Sequence, residues 1–142
     1  GDEQKTREAF IELEGKKFFR SGDLGYRDEE GFFFFTDRLK RMINASGYKV
    51  WPAEVEAMMY KHPEIQECCI IAAIDTYRGE TVKAVVVKKS GSDLTEDRLI
   101  EWARSQMAAY KVPRKVSFID VLPKSATGKV MWRQLQEAER AQ

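Results

Sequence analysis

The apolar positions of this chain change their spacing along its length, and the changes predict a mixed order of strands and helices. Short, nearly continuous apolar runs are typical of buried strands, whereas Val55, Met58 and Met59 recur at helical spacing behind Pro52, which suits the first turn of a helix. The elements predicted from Asp37 onward are strands at 42–43 and 48–50, a helix from Pro52 to His62, strands at 65–74 and 81–88, a helix at 95–107, an extended segment at 110–114, a strand at 115–121 and a helix at 130–139.

The segment before Asp37 follows a different pattern. A charged, mildly amphipathic helix is predicted at residues 2–14, and two aromatic runs, 18–19 and 32–35, are expected to pair as a small hairpin. A segment this short cannot bury four consecutive phenylalanines by itself. The predicted fold class is α+β, with a small sheet packed by two or three helices and preceded by a short β-hairpin. We expect residues 1–36 to be the tail of a larger N-terminal domain and residues 37–142 to be a second domain.

Composition excludes several classes of function. The chain has 142 residues with 33% charged and 43% hydrophobic side chains, which is typical of a soluble globular protein. Its 24 basic and 23 acidic residues argue against a nucleic-acid partner held by bulk charge. No apolar run predicts a membrane span, and the polar start does not resemble a signal peptide. Adjacent Cys68 and Cys69 are expected to be small core residues in a reducing compartment, and a single histidine predicts no metal site.

The loop from Pro123 to Lys129 has the composition of an anion site. Gly128 lets a ligand approach the backbone, and Ser125 and Thr127 add hydrogen-bond donors. The loop is not a P-loop, because that motif needs a glycine where Pro123 stands and a hydroxyl residue after the lysine. Taken alone, the loop favours a solvated surface lysine over a phosphate or carboxylate ligand.

Three further signals are each ambiguous. Asp23 lies between glycines in a turn, where it either stabilises the turn or accepts hydrogen bonds from the hydroxyls of a ribose. Arg38 has a guanidinium suited to phosphate oxygens, although a surface arginine in a charge cluster is the ordinary case. Residues 44–47 form either a plain turn or the lining of a narrow channel.

The signals are specific in combination and in order. The chain resembles the C-terminal part of adenylate-forming enzymes, the superfamily of acyl-CoA synthetases, firefly luciferases and peptide-synthetase adenylation domains, and most of all a medium-chain fatty-acyl-CoA ligase. The resemblance covers nearly the whole chain. The motifs that carry it are Gly22–Gly25, Gly31–Phe32, Thr36–Lys40, Ser46–Val50, Pro52–Glu56, Pro123–Lys124 and Thr127–Lys129.

The resemblance implies a two-step reaction and a mobile domain. The family activates a carboxylic acid with ATP and Mg²⁺, releasing pyrophosphate, and then transfers the acyl group from AMP to the thiol of coenzyme A. Its small C-terminal domain caps a large N-terminal domain and swivels between the steps. A fatty-acid CoA ligase in the cytoplasm is the expected function. A cap that loads a carrier protein and an aromatic-acid CoA ligase are the alternatives.

The resemblance also implies roles for individual residues. Lys129 is the expected catalytic lysine of adenylation, Asp23 and Arg38 are expected to bind ATP, and Asp37 is the expected hinge. The expected coenzyme A contacts are Ser46, Gly47, Tyr48, Lys49, Arg78 and Arg114.

The family's phosphate loop, T-S-G-T-T-G-x-P-K-G, is absent from these residues. The chain is therefore expected to be a fragment whose partner is its own N-terminal adenylating domain, with no activity and no bound substrate when isolated. A competing hypothesis is a non-catalytic interaction module that binds through Phe32–Phe35.

Overall fold

The computed structural model describes residues 2–141. The chain divides into two compact units, Gly1–Lys40 and Arg41–Gln142, and each is described by itself.

Within residues 2–40, the first unit consists of one short helix and two antiparallel hairpins. Asp2 caps the helix by accepting a hydrogen bond from the backbone of Lys5. In chain order the elements are α1 (Glu3–Glu8), β1 (Phe10–Leu13), β2 (Lys16–Phe19), β3 (Asp23–Arg27) and β4 (Phe33–Arg38), with β1 paired to β2 and β3 paired to β4.

Two predictions for this unit were wrong. The helix ends at Glu8 because Glu14 and Gly15, with φ of 51° and 72°, form a tight turn that folds the following residues into a hairpin. The aromatic runs 18–19 and 32–35 do not pair with each other. Each pairs with the strand nearest to it in sequence, as when Phe34 stacks on Tyr26 with ring centroids 5.0 Å apart.

Over residues 41–141, the second unit is a five-stranded sheet with helices on both faces. The strand order is β6-β5-β8-β7, and β9 runs parallel to β8 on the edge of β8 that also meets β5. The elements are β5 (Ile43–Ala45), β6 (Tyr48–Val50), α2 (Pro52–Met59), β7 (Ile65–Asp75), β8 (Gly79–Lys88), α3 (Glu96–Gln106), β9 (Lys115–Phe118) and α4 (Trp132–Arg140). The α+β class is thereby confirmed.

Alternation along β7 and β8 builds a separate core on each face of the sheet. On one face, Ile70 and Val86 pack with Val55 of α2 and Leu99 of α3. On the other, the core contains Cys69, Ile71, Val85, Val87 and Leu122, against which α4 packs. The adjacent cysteines therefore point into different cores as free thiols, as their sequence positions predicted.

Among the described residues no strand lies beside the outer edge of β7, and side chains form hydrogen bonds with its backbone instead. The Tyr60 hydroxyl accepts from the amide of Cys68 and donates to its carbonyl, at 3.2 and 3.3 Å. The amide of Ile70 donates to the Glu56 carboxylate at 2.9 Å, and Arg41 donates to the Ile70 carbonyl at 3.3 Å. These contacts protect an edge that would otherwise expose unpaired polar groups.

Several predicted boundaries in this unit shift. The segment around Tyr110 is a turn rather than extended, β9 ends at Phe118, and α4 begins at Trp132. Asn44 and Ala45 belong to β5, so that the predicted loop is only the turn at Ser46 and Gly47. Both turn residues have positive φ, 56° and 86°, as a two-residue hairpin turn requires.

Candidate functional site

Lys129 lies in a closed hairpin. Lys124 and Val130 form an isolated antiparallel bridge, and the amide of Ser125 donates to the Lys129 carbonyl at 2.9 Å. The Ser125 hydroxyl accepts in return from the Lys129 amide at 3.2 Å. Gly128 has a φ of 78°, which suits glycine best at the turn. The sequence motif thus defines a fixed turn, with the lysine at its C-terminal side.

The Lys129 side chain is exposed, and within residues 2–141 it forms no ion pair. The base of the hairpin is held differently. The Lys124 ammonium pairs with Glu67 of β7 at 2.6 Å, and Leu122, just before the hairpin, is 1% exposed. An anchored turn that presents an ammonium to solvent can approach an anion held on another surface.

A cavity of about 300 Å³ lies along the edge of β8. There β5 meets β8 only at the pair Ala45–Gly79, and β9 joins β8 from the pair Lys83–Lys115, so that a gap separates β5 from β9. The lining residues are Ala45, Ser46, Tyr48, Arg78, Thr81, Ala109, Tyr110 and Arg114. Four of the six predicted coenzyme A residues therefore meet around one cavity.

The two arginines of the cavity are held in different ways. The amide of Arg78 donates to Asp75 at 2.8 Å, which lowers the pKa of Asp75, and the Arg78 guanidinium pairs with the same carboxylate at 3.8 Å. The backbone of Arg114 donates to the Val82 carbonyl at 2.9 Å. Its guanidinium is exposed and forms no ion pair with the rest of the described chain. Both cations can meet an anionic ligand at the cavity.

Tyr110 is a cavity residue that the sequence interpretation missed. Its ring stacks on Tyr48 at 4.7 Å with an interplanar angle of 18°. The next residue, Lys111, pairs with Glu54 of α2, a contact that raises the pKa of Lys111 and fixes the turn. The exposed aromatic before Lys111-Val112-Pro113 was the available signal, but the stacking partner is 62 positions away in sequence (110 − 48).

Two of the predicted coenzyme A residues do not line the cavity. Gly47 occupies the hairpin turn, and a Cβ built on it meets no atom within 4 Å outside its neighbours. The positive φ of this position, rather than a close approach by another group, therefore explains why glycine suits it. Lys49 pairs with Asn44, whereas Ala45 and Tyr48 face the cavity. By strand alternation Lys49 points to the opposite face of the sheet.

The predicted ATP residues lie together in the first unit. Asp23 and Arg38 are partners across β3 and β4, and their side chains form an ion pair at 3.2 Å. Asp23 also borders an open cleft of about 680 Å³ that includes Lys5, Arg20 and Lys40. Carboxylate and ammonium groups at one cleft suit ribose hydroxyls beside phosphates.

Asp37 is 1% exposed, and its carboxylate accepts from the amide of Arg38 at 2.6 Å. It lies near the end of β4, shortly before the boundary between the two compact units.

Across residues 2–141 no group of three or more His, Cys, Asp or Glu side chains is placed to hold a metal ion. Within the same residues, no helix has the length and apolar character of a membrane span. Burial raises the pKa of Cys69 to about 12, so that this thiol stays protonated near neutral pH.

Three comparisons place these features in a family. The model of the AMP-binding enzyme C-terminal domain matches residues 54–129. The chain is 50% identical over 119 residues to the long-chain-fatty-acid–CoA ligase of Bacillus subtilis, covering 84% of this chain and 21% of that protein. It is 38% identical over 135 residues to the probable 4-coumarate–CoA ligase 2 of Dictyostelium discoideum, covering 94% of this chain and 24% of that protein.

Among solved structures, the ATP-bound MatB of Rhodopseudomonas palustris superposes with a TM-score of 0.87 at 32% identity, covering 96% of this chain and 27% of MatB. The chain thus spans about a fifth to a quarter of the length of the curated relatives it matches. The resemblance read from the motifs is confirmed, and the chain belongs to the family of AMP-binding enzyme C-terminal domains.

Proposed function

We propose that this chain is the cap domain of an AMP-forming acyl-CoA ligase. With a large adenylating domain, it converts a carboxylic acid and ATP to acyl-AMP and pyrophosphate, and then transfers the acyl group to coenzyme A. Mg²⁺ arrives with ATP as part of the substrate. The observation that carries the proposal is the convergence of Ser46, Tyr48, Arg78 and Arg114 on one cavity, apart from the Lys129 hairpin.

Lys129 serves the first step. The carboxylate of the acid attacks the α-phosphorus of ATP, and two anions repel each other as they approach. An ammonium on an anchored hairpin offsets that repulsion and the charge that develops on the phosphoryl oxygens. By analogy with the loss of one oxyanion-hole donor, removal of Lys129 is expected to slow adenylation about 10²- to 10³-fold.

Asp23, Arg38 and Asp37 connect the cap to the nucleotide. In this proposal, residues 1–36 are the tail of the large domain, and Arg38 orients the Asp23 carboxylate toward the ribose hydroxyls. Asp37 is the hinge, which is supported by its position shortly before the division between the compact units.

The cavity serves the second step. Tyr48 and Tyr110 offer an aromatic surface to the thin pantetheine arm, and Arg78 and Arg114 meet the phosphates of coenzyme A. The Ser46–Gly47 turn borders the arm, whereas Lys49 points to the opposite face of the sheet and has no contact in this phosphate site. These arginines favour free coenzyme A over a carrier protein, whose pantetheine has no terminal nucleotide.

We infer that the acid is a medium- or long-chain fatty acid and the location is cytoplasmic. The 50% identity to a ligase named for long-chain fatty acids supports the acid class, and the free thiols of Cys68 and Cys69 suit a reducing compartment. Activity on 4-coumarate but not on fatty acids would overturn the inferred acid class and leave the proposed ligase reaction standing.

The decisive test is an exchange assay on the full-length ligase, meaning this domain joined to its large domain. Lys129→Ala should slow ATP–pyrophosphate exchange about 10²- to 10³-fold. Lys61→Ala, at another exposed lysine, should leave exchange unchanged. Equal rates in the two variants would refute the adenylation role.

The isolated 142-residue chain gives a second test. It should show no ATP–pyrophosphate exchange, because this proposal places the ATP and acid pockets in the large domain. Exchange that copurifies with the isolated chain and disappears in its Lys129→Ala variant would contradict that division of labour.

A further inference from the structure

Helix α4 is fastened to the outer edge of β7 by one side-chain amide. The amide of Ala72 donates to Oε1 of Gln136 at 2.9 Å, and Nε2 of Gln136 donates to the Ala72 carbonyl at 2.8 Å. Gln136 therefore satisfies both backbone groups of one strand residue, as a neighbouring strand would. A glutamine amide can do so because it offers a donor and an acceptor side by side.

A second polar contact lies one turn further along the same helix. Glu139 pairs with Lys83 of β8, and the two side chains are only 10% and 12% exposed. Residues 136 and 139 share a helix face, so that both fasten α4 to the sheet from the same side.

Apolar packing alone holds α4 weakly. None of its nine residues, all described, is fully buried, and Trp132 and Leu135 pack only partly against the core beneath them. The register of the helix on the sheet therefore depends on directional contacts. The two hydrogen bonds between Gln136 and the backbone of Ala72 have defined directions, so they fix the position of the helix more closely than partly exposed apolar contacts do.

The helix is joined directly to the lysine hairpin. Only Val130 and Met131 separate Lys129 from Trp132, and the amide of Met131 donates to the Pro123 carbonyl at 2.7 Å. A shift of α4 would thus be transmitted through two residues to Lys129. The base of the hairpin is held on β7 by Lys124 and Glu67, so that β7 supports both ends.

We propose that Gln136 is a positioning residue for Lys129. By locking α4 onto Ala72, it sets where the Lys129 ammonium lies when the cap closes on the adenylation site. The inference rests on the proposed function for its catalytic consequence, and on the structure of this chain alone for its mechanical part. A displacement of about 1 Å in a reacting group can cost up to about 10²-fold in rate.

The mechanical part is tested by amide hydrogen exchange on the 142-residue chain. Gln136→Ala should speed exchange at Ala72 and at the hairpin amides of Ser125 and Gly128, by about tenfold for the loss of a hydrogen bond worth about 1.4 kcal/mol. Gln134→Ala changes an exposed glutamine of the same helix and should leave all three amides unchanged. Unchanged hairpin amides in Gln136→Ala would overturn the proposal.

The catalytic part is tested by separating the two half-reactions in the full-length ligase. Gln136→Ala should slow adenylation about tenfold and leave acyl transfer from supplied acyl-AMP to coenzyme A within about twofold. A general loss of folding would lower both rates, so an equal fall in both contradicts a positioning role. Gln136→Glu keeps the acceptor and removes the donor, and should slow adenylation likewise.

Lys129→Ala in the same assay distinguishes a failure of the proposed adenylation role of Lys129 from a failure of the positioning role of Gln136. If it spares adenylation, the proposed role of the lysine fails. If it abolishes adenylation while Gln136→Ala has no effect on either the rate or the hairpin amides, only the positioning role of Gln136 fails.

Discussion

The Lys129 hairpin and the β8-edge cavity place their cations in opposite ways. The hairpin is convex, closed by its own backbone hydrogen bonds, and presents one ammonium outward. The cavity is concave, lies in the gap between β5 and β9, and has two arginines at its wall. A cation on a projecting turn reaches an anion by entering a site on another surface. Cations at the wall of a cavity instead receive a ligand that enters the cavity. This contrast supports the proposal that one small domain serves two steps of a reaction by turning.

The two regions also depend on different supports. The hairpin is fixed to β7 through Lys124 and α4. The backbone groups at the outer edge of β7 in turn form hydrogen bonds with side chains such as Glu56. The cavity depends on the β5–β6 hairpin turn and on the turn at Tyr110. Substitutions can consequently be aimed at one region, at the other, or at the sheet that carries both.

The largest expected effect comes from the sheet itself, at the outer edge of β7. Glu56→Ala removes the acceptor for the Ile70 amide and the partner of Arg41 in an ion pair whose side chains are 17% and 14% exposed. Loss of one partner of a largely buried pair is expected to cost about 3 kcal/mol in the free energy of unfolding, measured by urea denaturation. Glu54→Ala, on the same helix but 49% exposed, should cost under about 1 kcal/mol. Equal costs would show that the capping of β7 is not structural support.

The next effect should be confined to the cavity. Arg114→Glu replaces a cation facing the proposed coenzyme A phosphates by an anion. The KM for coenzyme A in the full-length ligase should rise about tenfold or more, equivalent to about 1.4 kcal/mol, while adenylation is unchanged. Pantetheine, which lacks the nucleotide phosphates, provides the matched control, and its KM should not move. A parallel rise for pantetheine would show that Arg114 shapes the cavity rather than binding phosphate.

A pair of glycine substitutions applies the same change to each region. Gly47 and Gly128 have φ of 86° and 78°, and a Cβ on either meets no atom within 4 Å outside its neighbours. Alanine at either position should therefore cost about 1–2 kcal/mol of unfolding free energy through backbone strain alone. Gly47→Ala should impair acyl transfer and Gly128→Ala adenylation. If both variants impair the same step, the regions are not functionally distinct.

The smallest effect belongs to neither region. His62, the single histidine, is 7% exposed, and burial lowers its pKa below the usual 6.5, offset in part by Glu64 and reinforced by Arg98. The unfolded chain therefore binds the proton more readily, and stability present above pH 6.5 is lost as the pH falls through the folded pKa. Urea unfolding between pH 7.5 and 5 should show this loss in the wild type and less of it in His62→Gln. An identical pH dependence of the unfolding free energy in the wild type and in His62→Gln would contradict this role of His62.

The sequence predicted most of the second unit and much less of the first. Long apolar runs defined β7 and β8, because both strands are buried on both faces, and Pro52 marked the start of α2. In the first unit, the exposed aromatic strands carry no alternation against a core, so local turns decided the pairing and the prediction failed.

The candidate site shows the same limit. Motif order carried the resemblance that assigns a role to Lys129. Arg78 and Arg114 lie outside those motifs and were implied only by the resemblance, and the structure brings both to one cavity. Tyr110 and Gln136 were missed because their contacts are with residues distant in sequence, Tyr48 and Ala72. A glutamine on an exposed helix has no signal in a single sequence that distinguishes it from its neighbours.

The most direct test combines Lys129→Ala and Arg114→Glu in one full-length ligase and measures each half-reaction separately. We predict that the double variant has the adenylation rate of Lys129→Ala alone and the coenzyme A KM of Arg114→Glu alone, because each region acts in its own step. A further loss of adenylation caused by Arg114→Glu, or a further rise in KM caused by Lys129→Ala, would contradict the assignment of the two regions to two steps.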